Sequence, residues 1–132
     1  MESSPLTLTL LPEQLGVCRL PPDAEIPDWA WNGPVQSVTR TAEELSVVCA
    51  AAGVPDGVRA ECGWRALKVE GPLDFSLVGV LASLAGTLAA VEVSIFVLST
   101  FDTDYLLVKA ESLETAVEAL RAAGCRVLLK DC

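Results

Sequence analysis

The chain has 132 residues, which suits one compact domain or two small lobes sharing a core. Hydrophobic residues make up 52% and mean hydropathy is +0.46, so a packed core is available and wholesale disorder is excluded. A net charge of −9 repels phosphate backbones and anionic lipid surfaces, which argues against nucleic acid or membrane as partner. Histidine is absent, which removes the commonest general base, the usual metal ligand and the Ser-His-Asp mechanisms.

In chain order, Leu6, Leu8 and Leu10 alternate with threonines as in a half-buried strand, and Leu15–Leu20 reads as a second. Pro21–Pro34 reads as an ordered loop or short helical turn, because Trp29 and Trp31 favour burial. Val35–Thr41 and Leu45–Cys49 form a hairpin around Ala42-Glu43-Glu44; Val47 and Val48 favour strand over a rival helix at 42–52. Gly53–Gly57 is a turn-rich connection, and Trp64–Glu70 is a strand. Ser76–Ala90 is a helix, with Leu77, Val80, Leu81, Leu84 and Leu88 on one stripe. Val93–Leu98 and Tyr105–Lys109 form a second hairpin with Asp102 and Thr103 exposed at its tip. Ser112 caps a helix over Leu113–Ala123 with the stripe Leu113, Val117, Leu120; Gly124 stops it, and Arg126–Lys130 is the last strand. From Trp64 onward the order is βαββαβ.

Five cysteines without a C-x-x-C motif, and no signal peptide, imply reduced thiols in the cytoplasm. Cys18, Cys49, Cys62 and Cys125 read as buried structural residues, and Cys132 as exposed. Phe75–Val91 carries no charge, but Asp74 and Glu92 bound it, glycine and serine interrupt it, and it falls short of the roughly 20 residues a spanning helix needs. A buried amphipathic helix is the better reading. A faint internal repeat aligns residues 37–48 with 96–108, Thr41 falling on Thr100, with one fewer turn residue in the first copy.

Two segments, GWRALKVEGPLDFSLVGVLASLAG (residues 63–86) and SIFVLSTFDTDYLLVK (residues 94–109), resemble small ACT-domain proteins. The likeness is to the ACT halves of aspartate kinase and to the cytosolic arginine-sensor family. The resemblance implies an α+β fold, a ferredoxin-like βαββαβ ACT domain over 63–132 with a second, shortened ACT-like lobe over 1–62. It implies a non-enzymatic regulatory protein that binds an amino acid or similar metabolite, without cofactor or metal, as a homodimer. Carried onto this chain, the ligand falls on the start of the first helix (Asp74, Ser76, Leu77, Gly79) and on the second hairpin's turn (Thr100, Phe101, Asp104).

The residues themselves leave rival readings open. Ser76 also suits an N-cap. Gly79 is costly in a first helical turn and implies either close backbone approach or tolerance. Phe101 suits a ligand wall or a core plug equally. Asp102 and Asp104 could be acid and base, but a catalytic pair usually needs partners that are missing here. Asp102-Thr103-Asp104 offers too few oxygen donors for calcium on its own. A protein-interaction module that has lost its ligand is the alternative function.

Overall fold

Strands form where leucine and valine alternate with polar residues, and they end at glycine, proline and short polar turns. The computed structural model describes residues 6–70 and 79–129. Among these the order is β1 Thr7–Leu10, β2 Leu15–Leu20, β3 Ser37–Arg40, β4 Leu45–Ala50, β5 Arg59–Val69, α1 Val80–Ala90, β6 Phe96–Ser99, β7 Asp104–Lys109, α2 Leu113–Ala122 and β8 Arg126–Leu129. Short 3-10 turns occupy Asp28–Ala30, Ala51–Gly53 and Ala110–Ser112. The strand reading of Leu45–Cys49 therefore holds over its helical rival.

The chain falls into two compact units, one of Pro12–Trp64 and the other of Met1–Leu11 with Arg65–Asp131. β5 serves both: Arg59–Trp64 pairs with β2, and Leu67–Val69 pairs with β1. Thr7–Leu10 lies with the C-terminal unit, not with the N-terminal lobe to which residues 1–62 are assigned from sequence. It runs antiparallel to β5 and parallel to β8, with Leu8 opposite both Val69 and Val127. The cause is its Leu8 and Leu10 pair, which belongs to that unit's core.

In the C-terminal unit the strands lie in the order β6-β7-β5-β1-β8. Leu8, Leu10, Leu67, Val69, Leu106, Val108 and Val127 on the sheet meet Leu84 and Leu88 of α1 and Ala116, Val117 and Leu120 of α2. Of the stripes read from sequence, Val80, Leu81, Leu84 and Leu88 of α1 and Leu113, Val117 and Leu120 of α2 pack here, while Leu77 lies outside the described residues. Both helices end in the same way. The Gly124 amide donates to the Arg121 carbonyl and the Cys125 amide to that of Leu120, with Gly124 left-handed at φ +99°. After α1, Glu92 takes that position at φ +62°, its amide on Ala89 and the Val93 amide on Leu88. Ser112 does not cap α2 with its side chain, because the chain enters through the 3-10 turn.

In the N-terminal unit the order is β3-β4-β2-β5, the same order as β6-β7-β5-β8 once β1 is set aside. Here 3-10 turns stand where the C-terminal unit has α1 and α2. The fold is α+β and ferredoxin-like, with a second, shortened lobe of the same strand order. The small core holds Cys18, Ala30, Leu45, Val47 and Cys49, with Trp29 packed at its margin. Trp31, expected inside, is 55% exposed, because in this turn Ala30 is the residue that points inward. Arg40 fixes the proline-rich loop by donating to the carbonyls of Pro22 and Ala24.

Burial acts on the thiols of both units. Removal from water, with the Cys49 and Cys62 thiols adding to it, pushes Cys18 up to about 12 from 9.0. Burial raises Cys49 and Cys125 as well. Above 9.0 an unfolded Cys18 releases its proton while the folded one keeps it, so the folded state binds more protons and stability falls as pH rises. We expect the urea midpoint to hold steady below that window and to drop through it. Replacing Cys18 by valine should flatten the drop; an unchanged slope would mean that the thiol is not shielded.

Candidate functional site

The second hairpin is the segment in which the sequence places most of the describable site residues. β6 and β7 pair from Phe96 opposite Leu107 to Ser99 opposite Asp104, leaving Thr100-Phe101-Asp102-Thr103 as the loop. The Thr100 amide donates to the Thr103 carbonyl at 2.8 Å, and the Thr103 amide donates to the Thr100 hydroxyl at 3.3 Å. That hydroxyl in turn donates to the Thr103 carbonyl at 3.1 Å. Thr100 therefore closes the turn.

The first hairpin repeats this geometry. Arg40 opposite Leu45 leaves Thr41-Ala42-Glu43-Glu44, a loop of equal length. The Thr41 amide donates to the Glu44 carbonyl at 2.9 Å, and its hydroxyl accepts from the Glu43 and Glu44 amides at 3.1 and 3.2 Å. The repeat seen in sequence is real, and the expected one-residue difference in turn length is not. Counting from the strands, each copy has four loop residues opened by a threonine.

Thr103, expected at the exposed tip, is 5% exposed. Its hydroxyl donates to the Val69 carbonyl at the end of β5 at 2.6 Å. That bond ties the hairpin to the strand from which the chain leaves toward α1. Sequence reasoning missed it because the partner lies 34 residues away. The only local hint is a β-branched hydroxyl residue between two aspartates. Asp104 is half-buried and accepts from the Ser99 hydroxyl at 2.6 Å. Asp102 is exposed, and Phe101 is 80% exposed, so it does not plug the core.

At the helix side, Gly79 is the residue before α1 and is left-handed at φ +89°. A Cβ there would meet nothing within 4 Å. Backbone conformation, rather than close approach of another group, is what calls for glycine. Asp74, Ser76 and Leu77, with the capping reading of Ser76, lie outside the described residues. Among the described residues no group of three or more Cys, Asp and Glu has the arrangement to hold a metal ion. No helix among them is long and apolar enough to cross a membrane.

These features coincide with matches to known proteins. Residues 59–122 match the family model of the ACT domain, and residues 13–57 match the model of an N-terminal domain. The chain carries an ACT domain over residues 59–122. A protein of Agobacterium tumefaciens known from a crystal structure is 38% identical with a TM-score of 0.92, covering 98% of this chain and 97% of that one. The regulatory subunit of aspartate kinase from Thermus thermophilus shares the fold, with a TM-score of 0.60 at 13% identity, covering 89% of this chain and 94% of that one. The cytosolic arginine sensor for mTORC1 subunit 1 of Rattus norvegicus is 39% identical over 59 residues, 44% of this chain and 18% of that protein. The chain thus spans less than a fifth of that relative's length.

Proposed function

We propose that the chain is a non-enzymatic, cytoplasmic sensor that binds an amino acid or similar small metabolite through its ACT domain. The observation that carries this is the ACT match, supported by 39% identity over 59 residues to a protein named as an arginine sensor. In this reading the ligand meets the segment before α1, with Asp74, Ser76, Leu77 and Gly79, and the hairpin turn, with Thr100, Phe101 and Asp104. Amides at a helix start favour a carboxylate, and Asp104 favours an ammonium or guanidinium. The turn is suited to the task because its backbone is closed by Thr100 and anchored by Thr103 before any ligand arrives. Binding would act by favouring one association state.

Calorimetry against the free amino acids tests this. We expect heat with one or two of them, and Asp104→Ala to weaken binding by about 1.5–3 kcal/mol, the range for a hydrogen bond to a charged group. Asp102→Ala, at the exposed tip, should be milder. Equal affinity of Asp104→Ala and the parent would remove Asp104 from the site.

A second reading, a dimerisation module without ligand, draws on the outer strand β8, where Leu128 and Leu129 are 52% and 60% exposed. No heat with any amino acid, together with sedimentation as a concentration-dependent dimer, would replace the first reading by this one.

A further inference from the structure

Arg40 stands in the first hairpin where Ser99 stands in the second. Each is the last strand residue before a four-residue loop opened by a threonine, Arg40 opposite Leu45 and Ser99 opposite Asp104. The register puts both pairs on the inward face of their sheets: Val47, two residues after Leu45, and Leu106, two residues after Asp104, each belong to the core of their unit. Each hairpin also meets the segment that leaves the central strand beside it. Leu45 lies opposite Leu20, the last residue of β2, and Thr103 is bonded to Val69, the last residue of β5. The loop 21–27 after β2 is therefore the counterpart of the segment 70–79 after β5, to which the ligand reading assigns Asp74, Ser76, Leu77 and Gly79.

The two copies differ in the charge they present there. The second offers the Asp104 carboxylate, which accepts the Ser99 hydroxyl. The first has Leu45 in place of the carboxylate and brings a guanidinium of its own. Arg40 Nη1 donates to the Pro22 carbonyl, and Nη2 donates to the Ala24 carbonyl at 2.8 Å. The Ala24 amide closes the same turn on the Pro21 carbonyl at 3.1 Å. We propose that the first lobe's counterpart of the ligand site is a guanidinium site filled by the chain's own Arg40. The proposal rests on the sensor reading for where the second site lies. Its consequence is that one chain takes one ligand, in the second lobe alone.

Chemistry and tethering both favour an internal occupant. A guanidinium is a rigid planar fork whose two terminal nitrogens can serve two carbonyls at once, which a single ammonium nitrogen does less well. A group held by its own side chain acts at an effective concentration on the order of millimolar, so a free solute competes poorly with it. Leu45 is fully buried and carries no charge, so nothing at that position holds the cationic end of a free amino acid. Arg40 is itself exposed, so the two carbonyls open to solutes once its side chain is removed.

Tryptophan emission of Arg40→Ser, titrated with methylguanidinium at fixed ionic strength, tests the first site, because Trp29 packs at the same core margin as Ala24. We expect the substitution to shift the emission and methylguanidinium to return it toward the parent's along a one-site curve. Methylammonium should not return it. Absence of a saturable return, or an equal return with methylammonium, would overturn the proposal. Calorimetry of the parent against the free amino acids should give one site per chain for any that binds. Ser99→Arg, which copies Arg40 into the second hairpin, should abolish that heat without lowering the melting temperature. Two ligands per chain, or undiminished binding by Ser99→Arg, would overturn the proposal. No heat from any amino acid, together with the methylguanidinium return in Arg40→Ser, would overturn the sensor reading and uphold the filled first site.

Discussion

Replacing Leu88 by alanine should cost about 2–5 kcal/mol of folding stability. Leu88 is fully buried in α1 and belongs to one cluster with Leu84, Val117 and Leu120 of the two helices and Leu106 and Val108 of the sheet. Truncation removes apolar surface that had left water and opens a cavity whose walls, packed side chains of sheet and helices, cannot collapse inward freely. A domain of this size is stable by only about 5–15 kcal/mol, so the loss is a large share of the total. Urea denaturation measures it. Leu128→Ala in β8 is the control: at 52% exposed it should stay within about 0.5 kcal/mol of the parent. A change below about 1 kcal/mol for Leu88→Ala would mean that α1 does not pack as described.

Thr103→Val should cost about 1–3 kcal/mol although it preserves shape and volume. The valine keeps the β-branch but leaves the Val69 carbonyl without the donor it has at 2.6 Å. With Thr103 only 5% exposed, water replaces that donor poorly. Thr103→Ser restores the hydroxyl and should recover most of the loss, apart from the missing methyl. Chemical denaturation of both variants decides. Equal stability of Thr103→Val and the parent would show that the bond contributes nothing. A loss of similar size in both would instead assign Thr103 to packing. If the ligand reading holds, Thr103→Val should also weaken amino-acid binding, because the turn would lose its anchor to β5.

The two parts of the turn differ in how legible they were. Thr100 and Asp104 stand out as polar residues between apolar runs, and a two-residue period places them at the end of a hairpin. What those residues do was not legible. Thr100 closes its own loop, as Thr41 does in the first hairpin, and Asp104 holds the Ser99 hydroxyl. Such roles arise from cross-strand register, and a one-residue shift would exchange them. The Thr41 and Thr100 correspondence was visible as letters. Its equal loop length became visible only when Arg40 and Leu45, and Ser99 and Asp104, were found opposite each other.

By itself the sequence determined the order of the elements and most of the faces they bury, although β5 starts at Arg59 rather than Trp64 and β6 at Phe96 rather than Val93. Leucine at helical spacing set the stripes of α1 and α2, alternation set the strands, and Gly124 set the end of α2, because each of these is a local matter of backbone geometry and side-chain periodicity. The tertiary structure decided three things that depend on partners far along the chain. It placed Thr7–Leu10 between β5 and β8, where Leu8 and Leu10 find their core. It buried Thr103 by offering the Val69 carbonyl. It left Cys62, expected to be buried, exposed over Gly16 through a bulge that follows from how β2 and β5 pair. Pairing between distant strands is chosen by the sum of all contacts across the sheet, and no short stretch of sequence carries that sum.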